Sequence, residues 1–336
     1  MKRRAVATLA VLALHAGCEK EAARTVSPSP ASSEVTPAAP APAPASFVLS
    51  GAASQAMGLL QSGQPDQALA QLDASTGDAD QLAVLGAVWA KKAETAPLPA
   101  PPPLTSPAPK RATPPPAPEF KPEELTALGF LERALQSRSG HPVASLALAH
   151  VLAPHAVRRF ELEKAAQQKK GRAKPLPPPA SNPDFRPERV VEALRAAVTG
   201  MPASREPIET MIEFAARVER YDDAEWALDE LVKLDKEKPE PLVRYGDFLR
   251  DRRREPHQAI ERYRQALMWK PDDESVLSRI ADIYIGQGIE AFDRQQWAVS
   301  QSRLQEAQKY VRNPNSPQGL RIRDYQSRLA TIRTAR

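Results

Sequence analysis

Reactive side chains are few in this sequence, and their spacings assemble none of the common catalytic sets. The five histidines are His15, His141, His150, His155 and His257. A zinc hydrolase helix needs H-E-x-x-H, which puts two imidazoles on one face with a carboxylate between them. No pair here has that spacing. His150 and His155 stand five apart, which splays them around a helix, so no metal site and no cofactor is expected. A phosphate-cradling loop needs glycines and a following Lys-Ser/Thr so that backbone amides surround the phosphate. That run is missing, as is the G-x-S-x-G elbow that exposes a nucleophilic serine. The single cysteine, Cys18, lies at the end of an amino-terminal apolar run. Acidic pairs such as Asp222-Asp223 and Asp272-Asp273 stand at helix starts, where carboxylates cap free amides. The expectation is a protein with no catalytic residue, not an enzyme.

What recurs is the placement of small and large residues. Leu242-x2-Tyr245-Gly246-x2-Leu249 is followed by Ala259-x3-Tyr263-x2-Ala266-x4-Pro271. Small side chains let two helix backbones approach, and large ones fill the groove beside them. The pattern resembles a tetratricopeptide repeat, a helix–turn–helix unit that cannot bury its apolar face alone. The next unit begins 35 residues later with Leu277-x2-Ile280-Ala281-x2-Tyr284 and continues with Ser300-x3-Leu304-x2-Ala307. Its first helix is expected to run on through Phe292. The preceding unit pairs a first helix over about 205–219 with Ala224-x3-Leu228-x2-Leu231. Towards the amino terminus the pattern is interrupted. Leu82-x2-Leu85-Gly86-x2-Trp89 is separated by a proline-rich run from Ala127-x3-Leu131-x2-Ala134. A helix from Pro142 to the basic stretch Lys169–Arg172 is likewise separated from Val190-x3-Leu194-x2-Ala197. Both runs read as insertions between the two helices of one repeat. Ala68-x3-Leu72 marks a first, weaker unit. Departures from the repeat pattern are one extra residue in the turn before Ala259 and Ser300 in a usual alanine place. The expected fold is all-α: an α-solenoid of about six hairpins with a carboxy-terminal capping helix, on which Ile322, Tyr325, Leu329 and Ile332 form one stripe.

The ends define an address. Residues 1–17 read as a signal peptide: Met1-Lys2-Arg3-Arg4, then an apolar run from Ala5 to Leu14 too short to span a bilayer. Cys18 resembles the acylated cysteine of bacterial lipoproteins, with His15 standing where those usually carry an aliphatic residue. Ordinary cleavage near Ala16, leaving an exported protein with one free thiol, is the other reading. Residues 18–46 form a Pro/Ala-rich tether that reaches about 85 Å as polyproline or roughly 30 Å as coil. Repeats fill 47–312, with proline-rich insertions at 95–121 and 171–187, and 313–336 is the capping helix. The chain carries 46 basic and 41 acidic residues; without residues 1–17 the balance is 43 against 41, which argues against a nucleic-acid protein.

In tetratricopeptide proteins the first helices line the inner, concave surface. Carried onto this chain, the resemblance puts Arg244 and Arg279 side by side there, with Asp247 and Asp282 in a parallel row and Arg250 one turn on. These five residues are the expected grip on an extended peptide or helix of another protein. The layout resembles the repeat lipoproteins that assist envelope assembly machines. It implies a scaffold held to a membrane, the outer one favoured, through Cys18. A peptidoglycan-associated repeat protein and a plain structural spacer are the alternatives.

Overall fold

The computed structural model describes residues 47–96, 120–168 and 185–334. The signal peptide, Cys18, the tether, the interiors of both proline-rich insertions and the Lys169–Arg172 stretch lie outside the described residues. Six helical hairpins follow one another: α1 (Gly51–Gln61) with α2 (Pro65–Ala70), α3 (Ala79–Thr95) with α4 (Pro122–Ser137), and α5 (Pro142–Gln168) with α6 (Pro187–Gly200). Then come α7 (Arg205–Arg217) with α8 (Tyr221–Leu234), α9 (Pro239–Phe248) with α10 (Pro256–Trp269), and α11 (Glu274–Asp293) with α12 (Trp297–Gln308). The last helix, α13 (Pro317–Thr334), packs on both α11 and α12. From α3 onward, each odd-numbered helix pairs most extensively with the even-numbered one after it, and hairpins touch in chain order. No strand occurs among the described residues. This is a tetratricopeptide-like α-solenoid, with a core running without a break from Leu82 to Leu329.

Local chemistry sets the helix ends. Proline occupies a first-turn position in α2, α4, α6, α9 and α10, where its missing N–H would have had no helical partner anyway. Asp273 caps α11 by accepting from the Ser275 and Val276 amides. The Asp222-Asp223 pair behaves differently from the expected cap. Asp223 sits inside the first turn of α8, almost buried, and takes hydrogen bonds from Arg195 on α6 (2.7 Å) and Arg220 (2.6 Å). Burial works against that carboxylate, but the two guanidinium groups outweigh it and hold its pKa below the usual range. Asp222 pairs with Arg253 across the next hairpin.

Four hairpin turns share one closure. Gly63, Glu219, Arg254 and Gln295 adopt φ of 79°, 58°, 62° and 59°, the left-handed conformation that ends a helix. In three of them the next amide reaches back five residues: Gln64 to Leu59, Arg220 to Ala215 and Gln296 to Ala291, all within 2.9 Å. In the fourth, Glu255 reaches back six, to Leu249. The extra residue anticipated before Ala259 is absorbed there as a single π-helical turn, Leu249–Arg253. The same closure ends α7 at Arg217, slightly short of the expected 219. The two remaining hairpins are those interrupted by the proline-rich insertions.

Inside three of the hairpins the contact is small against large. A Cβ on Gly246 would stand 2.4 Å from the Tyr263 ring, and one on Gly86 would stand 2.4 Å from Leu131. The α3–α4 hairpin therefore keeps the contact of the α9–α10 hairpin although an insertion separates its helices. In α11 the register differs from the sequence expectation, which matched Ala281 to Gly246. The longer helix brings Gly288 into that place, where a Cβ would stand 2.9 Å from Leu304. Ser300, in its alanine place, is wholly buried and its hydroxyl has no partner among the described residues.

Two glycines in α11 separate helix propensity from packing. Gly286 is exposed with nothing near its missing Cβ, whereas Gly288 is buried against Leu304. Gly286→Ala should stabilise by about 0.5–1 kcal/mol, and Gly288→Ala should destabilise by about 1–3 kcal/mol. Urea denaturation of both variants checks the pair; a stabilising Gly288→Ala would contradict the contact.

Candidate functional site along the first helices

Of the five residues singled out by spacing, Arg244, Asp247 and Arg279 come together in one groove, and four of the five bond to other helices of the stack. Arg279 on α11 donates to Asp247 on α9 (3.0 Å), and Arg250 approaches the same carboxylate (3.3 Å). Tyr263 donates its phenol to Asp247 at 2.7 Å; burial first, and this bond second, push that phenol's pKa above its ordinary range. Arg244 reaches back to Glu209 on α7 (3.4 Å). Arg250 also grips Asp251 at 2.7 Å. Asp282 accepts from Gln318 on the capping helix (2.8 Å). Arg244, Asp247 and Arg279 share one shallow groove, while Asp282 belongs to the next junction. Arg244, Asp247, Arg279 and Asp282 have partners on other helices and act as rungs of the stack, each worth under about 1 kcal/mol at this exposure, whereas Arg250 pairs only with Asp247 and Asp251 of its own repeat.

The larger clefts lie in the other half of the stack. One of about 690 Å³ is walled by α1, α3, α5 and the start of α7, with Met57, Leu60, Ala90, Val143 and Leu146 among its apolar lining. A second, of about 680 Å³, continues it between α5 and α7 over Ala153, Val157 and Phe214. Glu94 and His150 line both, so the two form one groove across first helices. Pro154 stands in the middle of α5 and lines the groove. A proline has no N–H for the carbonyl four residues back, which here is that of His150. The second cleft also carries Arg158 and Glu161 on the α5 wall and Glu213 and Arg217 on the α7 wall. All four are exposed and make no hydrogen bond or ion pair among the described residues. An apolar floor with unpaired charges of both signs on its rims suits an amphipathic segment better than a small anion or metal. No group of three potential metal ligands occurs among the described residues.

His155 has a structural role. Its ring packs against both Phe120 and Phe185, with centroids 4.4 Å and 5.1 Å away, and the two phenylalanines are 4.9 Å from each other, so the three rings form a triangle. Phe120 and Phe185 are the first described residues after each insertion, so both interrupted hairpins rejoin the stack at one aromatic pin. Lys121 then closes the end of α3 by donating to the carbonyls of Ala93 (2.6 Å) and Ala96 (2.7 Å). The signal for this pin is present in the sequence as Glu119-Phe120-Lys121-Pro122-Glu123 and Asp184-Phe185-Arg186-Pro187-Glu188. An acid, a phenylalanine, a base, a proline and a glutamate recur at both returns.

No known family's sequence profile matches the chain, and no curated protein matches it. Among solved structures it is similar to MamA, residue 41 to the end, of Desulfovibrio magneticus RS-1. That likeness has 15% identity and a TM-score of 0.36, covering 67% of this chain and 99% of that one. It is also similar to PilF of Pseudomonas aeruginosa, with 16% identity and a TM-score of 0.36, covering 82% of this chain and 96% of that one. These likenesses are distant, and the architecture is established by the hairpin geometry itself.

A buried polar contact aligns the first three groove-lining helices. His141 is fully buried at the start of α5; its Nδ1 accepts from the Ala144 amide (3.3 Å) and its Nε2 meets Asp80 on α3 (2.9 Å). With Nδ1 accepting, the neutral ring carries its proton on Nε2 and donates it to Asp80. The other Asp80 oxygen accepts from the Ser50 amide (2.9 Å) at the start of α1, and Arg138 stands 3.5 Å from the carboxylate. Burial dominates at His141 and lowers its pKa despite the carboxylate beside it. A folded state that resists protonation loses stability where the unfolded chain takes the proton. Denaturation midpoints should therefore be flat above the unfolded histidine value of about 6.5 and fall as pH drops below it. His141→Gln should lower the midpoint at neutral pH and flatten that slope. An unchanged slope would remove His141 as its source.

Proposed function

We propose that this protein is a non-catalytic adaptor of the bacterial cell envelope. It holds an amphipathic segment of another envelope protein in the groove across α1, α3, α5 and α7. The observation that carries this reading is the contrast along one face. In the carboxy-terminal half Arg244, Asp247, Arg279 and Asp282 are engaged in bonds to neighbouring repeats or to the capping helix. In the amino-terminal half a continuous apolar-floored groove has Arg158, Glu161, Glu213 and Arg217 without partners. A segment with an apolar stripe flanked by charges of both signs would fill the floor and pair the rims. Repeat stacks hold partners along extended faces of this kind, and an apolar helix face laid in a groove is a recurrent recognition mode.

The address rests on the sequence. Its basic start, short apolar run and Cys18 support export and acylation at Cys18, with the outer membrane favoured, and residues 18–46 supply reach from that anchor. The partner-gripping role first assigned to Arg244, Asp247, Arg250, Arg279 and Asp282 is secondary in this proposal, since those side chains are engaged within the stack.

The test is comparative capture from crosslinked cells. Ala90→Arg and Ala153→Arg place long charged chains on the groove floor at half-buried positions. Both should reduce recovery of the same partner by about tenfold or more, the order of one lost anchor contact, with little change in thermal midpoint. Arg244→Glu with Arg279→Glu should lower stability modestly and leave capture intact. If the groove variants recover the partner undiminished, the groove is not its site.

A further inference from the structure

The charge of this chain is sharply polarised. Residues 18–293 hold 34 basic and 39 acidic side chains, whereas eight basic and two acidic side chains lie between Arg294 and Arg333. The folded chain gathers this surplus at one end of the stack, on α12, α13 and the turn between them. Some of it is neutralised: Arg294 pairs with Glu290, Lys309 with Glu306, Arg312 with Asp272 and Arg328 with Asp324. Arg303, Arg321 and Arg333 have no hydrogen bond or ion pair among the described residues. Arg323 bonds only the neutral Pro314 carbonyl and the Asn315 side chain. Four uncompensated guanidinium groups therefore remain.

Exposed apolar side chains accompany them. Met268 and Trp269 end α10 at 81% and 54% exposure, and Leu320 in the first turn of α13 is 53% exposed. The contact between Arg312 and Asp272, three residues past Trp269, places the end of α10 beside the turn from α12 to α13. The end of α10 thus presents an exposed tryptophan and methionine beside the basic turn from α12 to α13, and α13 adds Leu320 near its start.

We propose that this carboxy-terminal edge is a peripheral contact for a bilayer bearing anionic phospholipid. Guanidinium groups pair with phosphate as two-pronged donors, and each basic residue close to an anionic leaflet contributes about 1 kcal/mol. Tryptophan and leucine suit the headgroup boundary, where an apolar body can enter while polar groups stay wet. The arginines of α13 spread over the arc left exposed by the buried stripe of Ile322 and Leu329, a diffuse charge with no single row that would track a phosphate backbone. The only aromatic ring of α13, Tyr325, is packed edge-on against Phe292, so it offers no platform for an unstacked base.

The test uses the full chain carrying Cys18→Ser, which prevents acylation there, and flotation with vesicles of phosphatidylcholine alone or mixed with phosphatidylglycerol. Binding should be stronger on the anionic vesicles, and about 0.5 M salt should abolish the difference by shortening the screening length. Arg321→Glu, Arg323→Glu and Arg333→Glu together should remove at least about tenfold of the anionic preference. Because Arg321 and Arg333 are exposed and without partners, helical content should persist by circular dichroism. Trp269→Ala should weaken binding while leaving the salt dependence in place. Equal binding to both vesicle types, or no effect of the triple variant, would overturn the proposal. So would a preference for duplex DNA or an acidic peptide over anionic vesicles.

Discussion

Everything in this molecule depends on one packing constraint: the two helices of a hairpin must come close enough for a large side chain to seat against a position with no side chain. Gly246 under Tyr263, Gly86 under Leu131 and Gly288 under Leu304 meet it. Such a hairpin still leaves one apolar face open, so the next hairpin is required, and a core builds by addition from one end to the other. Arginine and carboxylate rungs between neighbouring repeats follow from that regularity. Arg189 with Glu132, Arg195 with Asp223 and Arg262 with Asp229 recur between second helices, and Arg244 and Arg279 do so between first helices.

The same constraint explains why long insertions are tolerated. Only the helices have to meet; the chain between them can leave and return, at an entropic cost that grows slowly with length. The aromatic pin of Phe120, His155 and Phe185 restores on return what a tight left-handed turn supplies elsewhere. The groove runs beside these two interrupted hairpins and on to α7, where Arg158, Glu161, Glu213 and Arg217 line it without partners among the described residues. The Ser50–Asp80–His141 contact cross-links the first helices beneath it and leaves that surface able to hold something else.

Much of the fold is legible in the sequence because small-against-large packing writes itself in fixed offsets: the six hairpins, the insertions' place inside two of them, and the terminal helix. Ala281 holds the offset of Gly246 from the helix start, but α11 is longer than its neighbours, and the glycine seated against the second helix is Gly288. The site was less legible. Arg244, Asp247 and Arg279 stood out through regular spacing, yet regular spacing is what rungs between repeats require. Unpaired groups such as Arg158 and Glu213 have no periodic signature, since being without a partner is a property of three-dimensional neighbours. The returns at Phe120 and Phe185 did have a signature, a repeated acid-Phe-base-Pro-Glu, hidden by the long gap between its copies.

The account's central claim is that stability passes from hairpin to hairpin by contact with the nearest neighbour. Amide hydrogen exchange by mass spectrometry, comparing the full chain with one ending at Lys270, addresses it directly. Loss of α11 to α13 should strip protection chiefly from α9 and α10, less from α7 and α8, and leave α3 to α6 close to unchanged. Uniform loss across all remaining helices would contradict it, because it would show a single indivisible globule in place of a stack.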